Sequence, residues 1–144
     1  MRLFLPLTLA LCVAAAMPAQ ASGPVRPSTA SASRDPIFGT WTNPGRTIVV
    51  KTLLCGAELC GEIVAAGAEA QNDAREAGVE RLVGTELLQN YRKTGSGRWT
   101  GTVFVPDMAR SFSSRIVQRS PDVLRISGCI FGGLICKSQD WTRI

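Results

Sequence analysis

Beyond residue 46 the chain is dominated by short apolar runs separated by turn residues, the pattern of strands with one face against a core. Residues 47–54 (TIVVKTLL) are rich in β-branched side chains, and 60–65 continue after a turn. Residues 98–105 (RWTGTVFV) begin after the turn signal Thr94-Gly95-Ser96-Gly97, and 111–118, 123–130 and 134–143 follow at close intervals. So many short strands at this spacing predict an all-β sandwich or barrel. The exception is 66–80 (AGAEAQNDAREAGVE), where alanines and charges predict a long connection with one helical turn. Residues 81–88 then lead into another strand.

The last hairpin can be read in register. A two-residue turn at Gly132-Gly133 sets Phe131 opposite Leu134, Ile130 opposite Ile135 and Cys129 opposite Cys136. A four-residue tip would align the same cysteines, so the pairing is specified while the turn type stays open. Alternation places Leu124, Ile126, Ile130, Ile135 and Trp141 on the core face. Arg125, Ser127, Ser138, Asp140 and Thr142 share the other face with the cysteines. The disulfide is therefore expected outside the core.

The first 21 residues change the picture of where this domain lives. Arg2 precedes an apolar stretch from Leu3 to Met17, and Ala19-Gln20-Ala21 is a small-x-small cleavage site, so residues 1–21 are expected to be a secretory signal peptide. Pro6 interrupts the apolar stretch, which is shorter than the ~20 residues a spanning helix needs, so no membrane-spanning segment is expected. Residues 22–36, rich in Ser, Pro and Ala, are expected to form a flexible leader. Residues 37–144, about a hundred, suit one domain. The expected location is the periplasm or the exterior of a bacterial cell.

Cysteine chemistry follows from that compartment, because oxidising spaces favour disulfides. Four cysteines lie beyond the signal: Cys55 and Cys60 in one turn, Cys129 and Cys136 in another. Three connectivities are possible. Crossed bridges would contribute ~4.5 kcal/mol each against ~2 to 2.5 for local ones on a chain-entropy model, so energy favours crossing. Hairpin geometry favours local pairs, and local pairs are the expectation. No Cys-x-x-Cys redox spacing occurs and the chain has 0 histidines, so neither a metal site nor a cofactor is expected.

The same absence of histidine removes the commonest way of activating a serine or cysteine nucleophile. Lys93-Thr94-Gly95 spells one β-lactamase motif but has no Ser-x-x-Lys partner. Glu58, Glu62, Asp107 and Asp140 could supply a carboxylate pair, but nothing in their spacing converges. No catalytic residue is assigned.

Several short motifs resemble a known family. They are Gly39-Thr40-Trp41, Cys55-Gly56, Leu59-Cys60-Gly61-Glu62-Ile63, Arg81-Leu82-Val83-Gly84, Trp99-Thr100-Gly101, Gly128-Cys129 and the closing Cys136-Lys137-Ser138-Gln139-Asp140-Trp141-Thr142-Arg143. Together they are similar to the bacterial secreted family called domain of unknown function 2147, from about Pro36 to the C-terminus. One departure is Phe104-Val105-Pro106-Asp107, where the family has an acidic Tyr-Asp-Pro connection. The resemblance implies a small antiparallel up-and-down, lipocalin-like β-barrel of about eight strands. It also implies that Gly39, Trp41 and Arg143 close the barrel, the guanidinium lying over the indole. It implies no established activity.

A barrel of this size has room for packed side chains or one small ligand. Lys137 and Gln139 fall on the core face of the last strand, and a buried lysine needs a carboxylate, a route to solvent or an anionic ligand. The expected site is an apolar interior from Phe112, Ile116, Leu124 and Ile126, with Lys137 and Gln139 orienting the head of a small amphipathic ligand. The alternative is an envelope interaction module without internal ligand. It would use Arg92, Lys93 and Arg98 around a flexible turn to contact an anionic surface or protein partner. Net charge is a modest +5, and no basic strip is interleaved with aromatics, so no nucleic acid is expected. The sequence specifies no oligomeric state.

Overall fold

A computed structural model of the chain describes residues 35–144. The expected signal peptide and most of the leader lie outside the described residues. Eight antiparallel strands follow one another around a closed barrel: β1 (Gly39–Thr42), β2 (Ile48–Cys55), β3 (Glu58–Ala66), β4 (Glu86–Gly95), β5 (Arg98–Val105), β6 (Arg110–Ser120), β7 (Val123–Ile130) and β8 (Ile135–Arg143). The ring closes where Trp41 pairs with Arg143 and Thr42 with Thr142. Closure removes the free strand edges that an open sheet of this size would expose. No helix among the described residues is long and apolar enough to cross a membrane.

The ends of the barrel differ. At the base, Arg143 spreads its guanidinium 4.2 Å from the Trp41 ring. It donates to the carbonyls of Phe38 at 3.1 Å and Pro121 at 2.9 Å, and also to that of Pro36. Gly39 makes this possible, because a Cβ there would collide with the guanidinium. Beneath it the Trp41 indole donates to the Ile37 carbonyl at 3.1 Å and to Thr52 Oγ1 at 3.2 Å. These contacts satisfy the polar edge of a tryptophan that is buried with Ile37, Val50, Leu59, Tyr91, Trp99, Ile116 and Leu124 in the core. Asp35 and Pro36, expected in the leader, are tied to this end: Asp35 accepts from Lys93 at 2.6 Å and Pro36 from Arg143.

The mouth is built from longer connections. Asn43 shapes the first, its Oδ1 accepting from the backbone N–H of Thr47 at 2.9 Å and of Ile48 at 3.0 Å. The second contains helix α1 (Ala68–Glu76), longer than the single turn expected from sequence. Its small residues explain the difference: Ala70 and the fully buried Ala74 let the helix lie close on the core, and packing supplies what a short polar segment lacks. A 3-10 turn at Pro106–Met108 leans against α1 across the mouth.

One further expectation needs correction. β4 runs through Asn90 to Gly95, so Arg92 and Lys93 stand on a strand and not on a flexible turn. A left-handed Asn90 (φ 54°) and register shifts let that strand continue past the bulge. The last hairpin turns through four residues, 131–134, with Phe131, Gly132 and Gly133 all at positive φ, and Cys129 still meets Cys136.

Candidate functional site

Both disulfides are local: Cys55 with Cys60 at the base, Cα atoms 5.9 Å apart, and Cys129 with Cys136 at the mouth, 4.1 Å apart. The second lies outside the core as expected. The first does not wholly do so: Cys60 faces outward by its pairing with Leu53, yet is buried, and the Glu86 carboxylate comes within 4.8 Å of the sulfurs. Joined in a bridge, these sulfurs are not thiolate ligands for a metal.

A cavity of about 570 Å³ opens at the mouth and reaches down to Trp141, Ile126 and Leu87. One row of the barrel wall marks its floor. The registered partners Gly101, Ser114, Gly128 and Lys137 stand side by side on β5, β6, β7 and β8, and the first three contribute almost no side chain. Gly101 is filled from elsewhere, since a Cβ there would strike the ring of Tyr91. Gly128 lines the cavity beside its registered partner Lys137, and a Cβ there would stand 3.3 Å from Val103 Cγ1. Val103, Phe112, Ile130 and Ile135 make the layer above.

Of the site residues expected from sequence, Lys137, Gln139, Phe112 and Ile126 all line this cavity. Ile116 and Leu124 do not: both are fully buried in the core below it. Lys137 is exposed to the open mouth and, among the described residues, makes no ion pair. Gln139 Oε1 accepts from the Trp141 indole at 3.2 Å, which fixes the amide and leaves its NH2 as a donor. Asp73 from α1 and Asp107 from the 3-10 turn stand on the rim. Sequence reasoning missed Gly128, Val103 and the contribution of α1. An interior glycine within a strand was the available signal for Gly128.

Below the cavity the wall holds unpartnered polar atoms: Tyr91 Oη, Ser114 Oγ and, towards the base, Gln118 Nε2. Burial pushes the Tyr91 phenol well above its usual pKa, a loss of solvation that outweighs the opposing effect of the nearby Ser114 hydroxyl, which approaches it without a well-formed hydrogen bond. The other candidate groups are engaged at the surface. Arg92 pairs with Glu58 at 2.6 Å, and Lys93 lies 5.3 Å from the centre of the Trp99 ring while pairing with Asp35. Arg125 grips Asp140 with two bonds of 2.7 and 2.8 Å across the outer face. That contact holds the Asp140 carboxyl below its ordinary pKa.

Residues 39–143 match the family described as "Uncharacterized protein conserved in bacteria (DUF2147)". The chain belongs to the DUF2147 family. No curated protein gives a significant match. Among solved structures, this DUF2147 barrel is similar to one titled "Protein HP1028 from the human pathogen Helicobacter pylori belongs to the lipocalin family". The two share 12% identity with a TM-score of 0.58, over 74% of this chain and 82% of the other. At that identity the likeness is one of fold, and it makes the DUF2147 domain a lipocalin-like barrel.

Proposed function

We propose that this protein binds a small hydrophobic or amphipathic molecule in the open half of its barrel. The observation that carries the reading is the cavity of about 570 Å³, within the ~300 to 1,000 Å³ of typical ligand pockets, walled by apolar side chains and open at one end. An alkyl or aromatic body would lie along Phe112, Val103 and Ile126. Its polar or acidic head would meet Lys137 and the Gln139 NH2 near the mouth. Lys137 suits this role because its charge is uncompensated within the described residues and it lines the same cavity as Phe112, Ile130 and Ile135. Kinship of fold with a protein placed in the lipocalin family supports the reading, since such barrels are built to enclose one small ligand.

The proposed setting is the periplasm or the cell exterior, where two disulfides persist. The reading assigns no bond-making step: Glu58 and Asp140 are held by arginines on the outer surface, away from the cavity. The test is a titration with laurate and with dodecanol, followed through the fluorescence of Trp141 in the cavity wall. Saturable binding of both is expected, laurate the tighter, with Lys137→Gln weakening laurate by about fivefold and dodecanol little. No saturable change with either compound would refute the proposal.

A further inference from the structure

The β7–β8 tip presents large apolar side chains to water. Phe131 is 73% exposed, Leu134 86% and Ile135 51%, on three successive non-glycine positions around Gly132-Gly133. Scattered exposed apolar residues are ordinary, but a cluster at one projecting turn marks an interaction surface. The backbone does not relax to hide them. Phe131 sits at φ 53°, a left-handed conformation unfavourable for a bulky residue, and the Cys129–Cys136 bridge clamps the strands immediately below.

Cations flank this tip on both sides of the barrel wall. Outside, Arg115 shares a depression of about 390 Å³ with Thr100, Ser113 and the backbone of Gly132 and Gly133. Inside, Lys137 lines the cavity mouth. Neither forms an ion pair among the described residues. The acidic side chains at this end, Glu69, Asp73 and Glu76 on α1 and Asp107 on the 3-10 turn, belong to those elements and not to this hairpin. An apolar tip between two free cations has the composition of an element that sits at the boundary of an anionic bilayer, with rings and methyls in the acyl region and charges at the phosphates.

We infer that the β7–β8 tip docks the barrel mouth onto an anionic phospholipid bilayer, Phe131 and Leu134 inserting and Arg115 and Lys137 meeting headgroups. The inference rests on the carrier reading above and deepens it. Ile130 and Ile135 line the cavity and lead directly into the tip, so an amphipathic molecule would pass from membrane to barrel along apolar surface. A bilayer is the occupant the charges favour, because Arg115 and Lys137 flank the apolar residues and neither is neutralised among the described residues.

The test uses the form recovered from the periplasm of an expressing bacterium, with vesicles of phosphatidylglycerol and phosphatidylethanolamine, or of phosphatidylcholine alone, read by co-sedimentation. Every arm carries the same N-terminus, so differences report the tip. Strong binding to the anionic vesicles is expected. Phe131→Ser with Leu134→Ser should weaken it by roughly a hundredfold, and Arg115→Gln by about fivefold. Laurate binding by the double-serine protein should be unchanged, because neither residue lines the cavity. Laurate binding without vesicle binding would overturn the docking and leave the carrier reading standing. Vesicle binding lost in the double variant, in a protein that takes up no laurate, would support the docking and refute the carrier. Equal affinity for neutral vesicles, or self-association abolished by the same substitutions in place of vesicle binding, would overturn the inference.

Discussion

Truncating Arg143 to alanine should test how the barrel is closed. The side chain covers Trp41 at 4.2 Å and reaches the carbonyls of Phe38, Pro121 and Pro36, so it joins β8, the β6–β7 turn and the segment before β1. The contact with the indole is partly shielded and contributes about 1 kcal/mol. The carbonyl bonds are charge-assisted, but the acceptors regain water after truncation, so they contribute about 2 kcal/mol together. The ion pair with Asp122 adds little, since Asp122 is 74% exposed and 3.4 Å away. The expected loss is therefore about 3 kcal/mol, or roughly 12 °C in Tm for a domain of this size.

Urea and thermal unfolding with the disulfides intact, followed by tryptophan fluorescence, would measure it. Arg143→Lys should retain the charge over the ring but lose the planar fork, giving about half the effect. Asp122→Ala should cost less than ~0.5 kcal/mol. A loss below ~1 kcal/mol in Arg143→Ala would show that strand pairing alone closes the ring, and would refute this account of Gly39, Trp41 and Arg143.

Other outcomes follow from the interior. Gly128→Leu should fill the cavity beside Val103 and abolish laurate uptake in the fluorescence titration, while circular dichroism shows an intact barrel. Tyr91→Phe removes a hydroxyl that makes no well-formed hydrogen bond and should leave stability unchanged or raise it by up to ~1 kcal/mol in urea unfolding; a loss of ~1 kcal/mol or more would reveal a bond to Ser114. For Asp140, whose folded pKa is depressed by Arg125, the contribution is complete above the usual carboxylate pKa and is lost as pH falls through the folded value. Asp140→Asn should accordingly lower stability slightly at neutral pH, converge with the parent in acid where Asp140 is protonated, and so flatten the acid limb by that same small amount, because the pair is on the surface.

Local chemistry was legible wherever two partners sit close in the chain. The last hairpin shows this best: alternation and the spacing of Cys129 and Cys136 specify a register that holds from Val123–Thr142 to Ile130–Ile135, whatever the turn. It also places Lys137 and Gln139 on the inner face, since a period of two decides which way each side chain points. The closure by Gly39, Trp41 and Arg143 was legible through family resemblance and not through periodicity.

The depth of the cavity was another matter. Ile116 and Leu124 point inward as alternation requires, yet lie in the packed core, because alternation assigns a face and not a height. Height depends on how each strand is staggered against its neighbours around the ring. Only that stagger sets Gly101, Ser114 and Gly128 in one row, opens space beside Lys137, and brings α1 across the mouth. Long-range pairing likewise brings Glu58 to Arg92 and Asp35 to Lys93, converting an expected basic tip into two ion pairs. The sequence by itself determined strands, faces, local disulfides and an inward lysine, all consequences of near neighbours. The tertiary structure alone decided where the barrel is solid and where it is open, because that depends on registers summed around a closed ring.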